Sequence, residues 1–177
     1  MPDGTSTSIL IILDVGDAPD ADPLEDFVGV YYTLLDAGAR LLIASEAGGY
    51  PWAQRPKRAE GMEGGLVGRF LSDQQARDEA ADTLRTRDVF VEDFEACVVV
   101  GSASPVWESD GSDAHALVGG FLKAGKPVAT ISGRSGFMPA GRTGGLALLS
   151  KGGKSLPAAI RALLAALRSD DGIGDPR

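Results

Sequence analysis

"SILIILDVGDAPDADPLEDFVGVYYTLLDAGARLLIAS", residues 8–45, decides the fold. "SILIILDV" (8–15) is a short apolar run that stops at acidic loop residues, the pattern of a strand buried on both faces. "DAPDADP" (17–23) is a loop, broken by its prolines and aspartates. From Leu24 to Ala37 the apolar residues Leu24, Phe27, Val28, Tyr31, Leu34 and Leu35 recur at helical spacing, and Gly38 supplies a C-cap. "RLLIAS" (40–45) is a second strand. A strand, a helix and a strand in that order imply strands that lie parallel.

The alternation continues downstream. "SDQQARDEAADTLR" (72–85) predicts a helix opened by Ser72, with Gln75 three residues on completing a capping box. "EACVVVG" (95–101) is a third strand, and "SDAHALVGGFLKAG" (112–125) a helix with Ala114, Leu117, Val118 and Phe121 inward. "KPVATIS" (126–132) is a fourth strand and "GLALLS" (145–150) a fifth. "SLPAAIRALLAALR" (155–168) has Ser155 as N-cap, an early proline and an apolar stripe at Ile160, Leu163, Leu164 and Leu167. The expectation is one α/β domain over 1–168, a three-layer sandwich with a mainly parallel sheet flanked by helices. A flexible tail follows over 169–177.

Composition narrows the function. The chain has 177 residues, 44% hydrophobic and 24% charged, and a formal net charge of -8. That charge argues against nucleic acid, whose phosphates demand a basic surface, and against an anionic membrane. No apolar run approaches the ~18 residues of a membrane span. "MPDGTSTS" lacks the basic start and apolar core of a secretory signal, so the expected address is the cytoplasm. One cysteine, Cys97, excludes an internal disulfide; one histidine, His115, excludes most zinc sites. No cofactor or metal is implied. "SGRSG", "GRTGG" and "SKGGKS" lack the full phosphate-loop pattern, so nucleotide hydrolysis is discounted.

Ligands in open α/β sheets bind beyond the carboxyl ends of the strands. Three segments converge there: the loop entering the first helix, the turn after Gly101 and the turn at Ser132.

Longer stretches carry a resemblance. "LEDFVGVYYTLLDAGARLLIASEAGG" (24–49), "RFLSDQQARDEAADTLRTRDVFVEDFEACVVVGSASPVWE" (69–108), "LVGGFLKAGKPVATIS" (117–132) and "GGLALLSKGGKSLPAAIRALLAAL" (144–167) follow one another as in the ThiJ/PfpI family. This is the protein deglycase and glyoxalase-type chaperone branch of the glutamine amidotransferase-like superfamily. The resemblance covers Ile9 to Leu167 and implies a flavodoxin-like fold, a nucleophile elbow and a homodimer.

The chemical positions depart from the family pattern. Ser132 stands at the elbow cysteine, Gly133 at the following histidine and Arg134 at the next glycine. A one-residue gap instead places Ile131 at the nucleophile position; either register removes the thiol. Asp26 matches the glutamate of the first helix that bonds the thiol. The glycine-rich turn of the oxyanion site reads Gly101, Ser102, Ala103 and Ser104, followed by Pro105, Trp107 and Glu108. Glyoxalase, deglycase and protease activity are therefore not expected.

What remains is a set of paired readings. Ser132 is a nucleophile or a pocket-lining hydroxyl; a hydroxyl needs a positioned base, and Gly133 offers none. Asp26 is an acid or base, alone or with Glu108, or both are solvated carboxylates. Arg134, beside a helix start, is a bidentate anion donor or a surface arginine paired with Asp26 or Glu108. Ser102, Ser104, Trp107, Glu108, Gly133 and Arg134 form the ligand-binding set. Trp107, Tyr50 and Trp52 wall a ligand or pack at a subunit contact. Cys97 reads as core filler and His115 as a partly exposed helix residue. Two functions follow. One is a protein without thiol chemistry that binds a small carboxylate- or carbonyl-bearing metabolite or serves as a silent dimeric scaffold. The other is a hydrolase, hydratase or lyase using Asp26 and Ser132.

Overall fold

The computed structural model describes residues 6–14, 24–52, 64–101, 111–132, 147–150 and 156–170. In chain order the elements are β1 (Ser8–Asp14), α1 (Leu24–Asp36), β2 (Arg40–Ser45), α2 (Gly65–Ser72), α3 (Gln74–Ala81), β3 (Leu84–Arg85), β4 (Ala96–Gly101), α4 (Asp113–Lys123), β5 (Val128–Ser132), β6 (Ala147–Ser150) and α5 (Leu156–Asp170). The strands form one six-stranded sheet in the order β3-β2-β1-β4-β5-β6. Every pair is parallel, as the buried apolar runs required.

Side chains alternate across the sheet with period two and so build a core on each face. Ile9, Ile11 and Leu13 of β1 pack with Phe27, Tyr31 and Leu34 of α1 and with Ile160 and Leu163 of α5. Leu10 and Ile12 face the other way, onto Cys97 and Val99 of β4 and Leu117, Val118 and Phe121 of α4. The result is a three-layer α/β sandwich. Burying each such side chain contributes about 1.5–3 kcal/mol, so the two faces together hold the sheet in register. Among the described residues no helix is long and apolar enough to cross a membrane.

The glycine stop after α1 works through its backbone. Gly38 has φ +85; its N–H donates to the Leu35 carbonyl at 2.9 Å, and the Ala39 N–H donates to the Leu34 carbonyl at 3.1 Å. That pair of bonds closes the last turn as a Schellman motif and aims the chain straight into β2. The described bounds of α1 and β2 match the sequence reading to within a residue.

Residues 72–85 do not. Instead of one helix opened by Ser72, the segment holds the end of α2, all of α3 and the short strand β3. Ser72 closes α2, and the cap belongs to Asp73, whose Oδ1 accepts the Ala76 N–H at 3.1 Å. Both residues are good N-caps by type. Tertiary contact separates them: the Tyr32 hydroxyl donates to Asp73 Oδ2 at 3.0 Å. The helix ends early because Thr83 is drawn to β2. Its hydroxyl donates to the Gly49 carbonyl at 2.7 Å and shares a 2.7 Å hydrogen bond with the buried Ser45 hydroxyl. Leu84 and Arg85 then pair with Ala44 and Ser45.

Candidate functional site

The strand order places β1 between β2 and β4, and the helices that follow β1 and β4 lie on opposite faces of the sheet. The chain passes from β1 to α1, whose apolar residues join the first core cluster; from β4 it passes to α4, which belongs to the second. The carboxyl edge between β1 and β4 is therefore the topological switch point, where such sheets bind ligands.

Three residues end the strands around it. Asp14 closes β1, Gly101 closes β4 and Ser132 closes β5, and the register pairs Asp14 with Gly101 and Gly101 with Ser132. With strands ~4.8 Å apart, the row from Asp14 to Ser132 spans about 10 Å, the size of a small metabolite. Ser132 thus lies at the sheet edge, as the sequence required. Ile131, the other candidate for the nucleophile position, is fully buried in the core cluster shared with α1 and α5. Its side chain is packing.

Asp14 was not among the expected site residues. It is half-buried at the end of β1, at the switch point. A Cβ added at Gly101 would lie 3.2 Å from the Asp14 Cβ and 3.5 Å from Oδ2, so the Asp14 side chain occupies the space that glycine leaves open. Burial first, and the charge of Glu46 second, hold its carboxyl above the usual carboxylate range. The sequence signal was present in the acid that ends "SILIILD", but only burial distinguishes it from a loop carboxylate.

Glu46 follows β2 and is committed to structure. Its Oε1 accepts the Asp113 N–H at 3.0 Å, and its Oε2 accepts the Ala114 N–H at 3.1 Å and the Thr86 hydroxyl at 3.3 Å. A carboxylate on the first amides of a helix complements the partial positive charge there. Ser112 completes the same helix start, its hydroxyl oxygen accepting the His115 N–H at 3.0 Å.

Asp26 sits half-buried in the first turn of α1, at the same end of the sheet. Trp52 is buried and packs edge-on against Phe27, with ring centroids 5.7 Å apart, so it belongs to the core. Tyr50 is exposed and lines, with Trp52, Phe70, Gln74, Arg77 and Asp78, a cleft of about 580 Å³ against α2 and α3. His115 is half-buried on α4. Cys97 is fully buried in β4, and burial pushes its thiol far up. It lies four residues before Gly101, roughly 13 Å from the edge at ~3.3 Å per residue. Ser102, Ser104, Trp107, Glu108, Gly133 and Arg134 lie outside the described residues.

No protein-family model and no curated protein matches the chain. Solved structures do. The chain is similar to a ThiJ/PfpI domain protein from Brachyspira murdochii, with TM-score 0.57 and 17% identity over 94% of this chain and 99% of that one. It is similar to the 24 kDa Rapid Encystment Protein of Francisella tularensis, with TM-score 0.55 and 19% identity over 71% of this chain; the match spans 58% of that longer protein. It is also similar to an isoprenoid biosynthesis protein with an amidotransferase-like domain from Ehrlichia chaffeensis, with TM-score 0.50 and 12% identity over 92% and 99% of the two chains. At such identities the likeness concerns architecture. The parallel sheet, its flanking helices and these neighbours together show that the chain has the flavodoxin-like α/β fold of ThiJ/PfpI and amidotransferase-like domains.

Proposed function

We propose that this chain works without thiol chemistry and binds a small carboxylate- or carbonyl-bearing metabolite at the carboxyl edge of its sheet. The observation that carries the reading is the row Asp14, Gly101 and Ser132 at the switch point, with the single cysteine fully buried elsewhere. A strand-end serine supplies a hydrogen bond; to attack a carbonyl it needs a base positioned on its hydroxyl. The resemblance to the ThiJ/PfpI family puts Arg134 and the amides after Gly101 and Ser132 around the same spot, where they suit an anion or an oxyanion.

Thermal unfolding with glyoxylate, pyruvate, acetate and inorganic phosphate tests this. A bound ligand at 100 times its Kd stabilises by about 2.7 kcal/mol, or roughly 5–10 °C for a chain of this size. The expected result is a shift with at least one of the carboxylates that is lost in Ser132→Ala combined with Arg134→Ala, and no consumption of methylglyoxal. Turnover of methylglyoxal by the wild-type protein would overturn the loss of thiol-type activity. No shift with any probe, together with a dimer by light scattering, would favour the silent dimeric scaffold.

A further inference from the structure

The outer edge of β2 is covered over only part of its length. β3 is two residues long and pairs Leu84 with Ala44 and Arg85 with Ser45. Among the described residues, no strand pairs with Arg40 to Ile43 on that side. The Arg40 N–H donates inward, to the Thr7 carbonyl at 2.9 Å. Successive strand residues turn their backbone groups to opposite sides, so Leu41 directs its N–H and C=O outward, short of the start of β3. At ~3.3 Å per residue the open stretch is roughly 13 Å long, enough to seat a short strand.

A cleft flanks this edge on each face of the sheet. On the α1 side a space of about 410 Å³ is lined by Tyr31, Leu35, Ala39 and Leu41. On the other side a space of about 370 Å³ is lined by Leu42, Leu84, Phe90 and Phe94. Leu41 and Leu42 pack against the two opposite core clusters, which assigns one cleft to each face. Arg40 and Leu41 line both, so the clefts meet along the strand. Leu35, Leu84 and Phe90 are three of the five large hydrophobic side chains exposed among the described residues, Phe90 by 67%. Exposed apolar surface is thus concentrated where the sheet edge is open, the combination that invites pairing with another chain.

Charge decides which chain. Asp73 and Glu79 line the first cleft and Asp88 and Asp93 the second, against one cation, Arg40. A second copy of this protein, with its formal net charge of -8, would bring the same four carboxylates against them, and like charges placed face to face oppose association. A basic segment meets those carboxylates with opposite charge. A strand sends adjacent side chains to opposite faces, so two neighbouring apolar residues would enter one cleft each.

We propose that the open part of β2 receives an extended, basic segment of another protein as an added edge strand. Its main chain bonds to Leu41, two adjacent apolar side chains fill the two clefts, and flanking Lys or Arg residues meet the four carboxylates. This surface lies at the start of β2, apart from the strand ends Asp14, Gly101 and Ser132, and stands independently of the binding reading above.

Fluorescence polarisation with the full chain and a labelled acetyl-Lys-Arg-Val-Ile-Arg-Lys-amide peptide tests this. Saturable binding is expected, weakened about 10-fold or more when both central amides are N-methylated, since one of the two faces β2 in either register. Replacing the four basic residues of the peptide by glutamate is expected to abolish binding. Phe90→Ala and Leu35→Ala, one from each cleft, should each weaken binding about 3- to 10-fold, whereas Tyr50→Ala, in the cleft against α2 and α3, should not. Amide hydrogen exchange gives a readout independent of affinity: saturating peptide should slow exchange of the Leu41 N–H about 10-fold or more. No binding by the basic peptide, or binding that survives N-methylation, would overturn strand addition. Equal binding of the glutamate peptide would overturn the basis in charge. Self-association that protects Leu41 and resists competition by the peptide would assign the edge to a second copy instead. Melting curves of the variants separate lost binding from lost fold.

Discussion

Glu46 accepts the backbone N–H of Ala114 at 3.1 Å, joining the end of β2 to the start of α4 across 68 residues of chain. With Asp113 and Thr86 it fastens three separate segments together. Glu46→Ala leaves two helix-start amides without this acceptor and is expected to cost about 1–3 kcal/mol, in line with lost caps and charged hydrogen bonds. Glu46→Gln keeps one acceptor oxygen and should recover part of the loss. Urea denaturation with an unchanged m-value would confirm a local effect.

Asp14→Asn should stabilise the free protein at neutral pH. The folded carboxyl is raised above its ordinary value of 3.8, so the fold favours the protonated form. That preference is fully available below the unfolded value and is lost as pH rises through the folded one. Wild type therefore carries a penalty at pH 7 that asparagine lacks. Melting temperatures of the two proteins, measured from pH 3 to 8, should converge at the acid end and diverge toward neutrality. A constant difference would exclude titration of Asp14 as its cause.

Cys97 should not react with a disulfide reagent while the chain is folded. It is fully buried between its β1 and β5 neighbours, Leu10 and Val128, and burial raises its thiol well above the ordinary range. Labelling should follow opening of the fold and accelerate with denaturant. Rapid native labelling of wild type would contradict the burial of Cys97.

The seam between α1 and the α2–α3 pair should fail in alkali. Tyr31 donates to Glu79 Oε2 at 2.7 Å and Tyr32 to Asp73 Oδ2 at 3.0 Å, with the Arg69 guanidinium 3.9 Å above the Tyr32 ring. Burial and then the Asp73 bond push the Tyr32 phenol up to about 12, and burial and Glu79 raise Tyr31 further. Raised phenols support the fold below their unfolded value of 10.0 and cease to do so as pH climbs through the folded ones. Tyrosinate absorbance of these two residues should thus appear late and together with loss of helical circular dichroism. Tyr31→Phe should cost about 1 kcal/mol, the net value of one hydrogen bond.

Much of the architecture was legible because it rests on local, repeated signals. "SILIILD" and "ACVVVG" are apolar enough to be buried on both faces, and Gly38 marks the end of α1 through a backbone need that few other residues meet. The segment around Ser72 and Asp73 failed for a physical reason. Two adjacent residues satisfied the same capping rule, and the choice fell to Tyr32, 41 residues earlier in the chain. β3 was equally hidden, since Leu84 and Arg85 are exposed and form a strand through what Thr83 does with Ser45 and Gly49.

The amino-acid sequence by itself determined five of the six strands, the helices α1, α4 and α5, the net negative charge and the serine that ends β5. Those follow from hydrophobic period, turn chemistry and residue identity, which act over a few neighbouring positions. Only the tertiary structure decided that Asp14 is a half-buried acid lying against Gly101, and that Glu46 is bound to α4 instead of free for chemistry. Both facts depend on register across the sheet, where residues 87 and 67 positions apart become neighbours. A carboxyl group's protonation is set by what surrounds it, and those surroundings exist only in the folded chain.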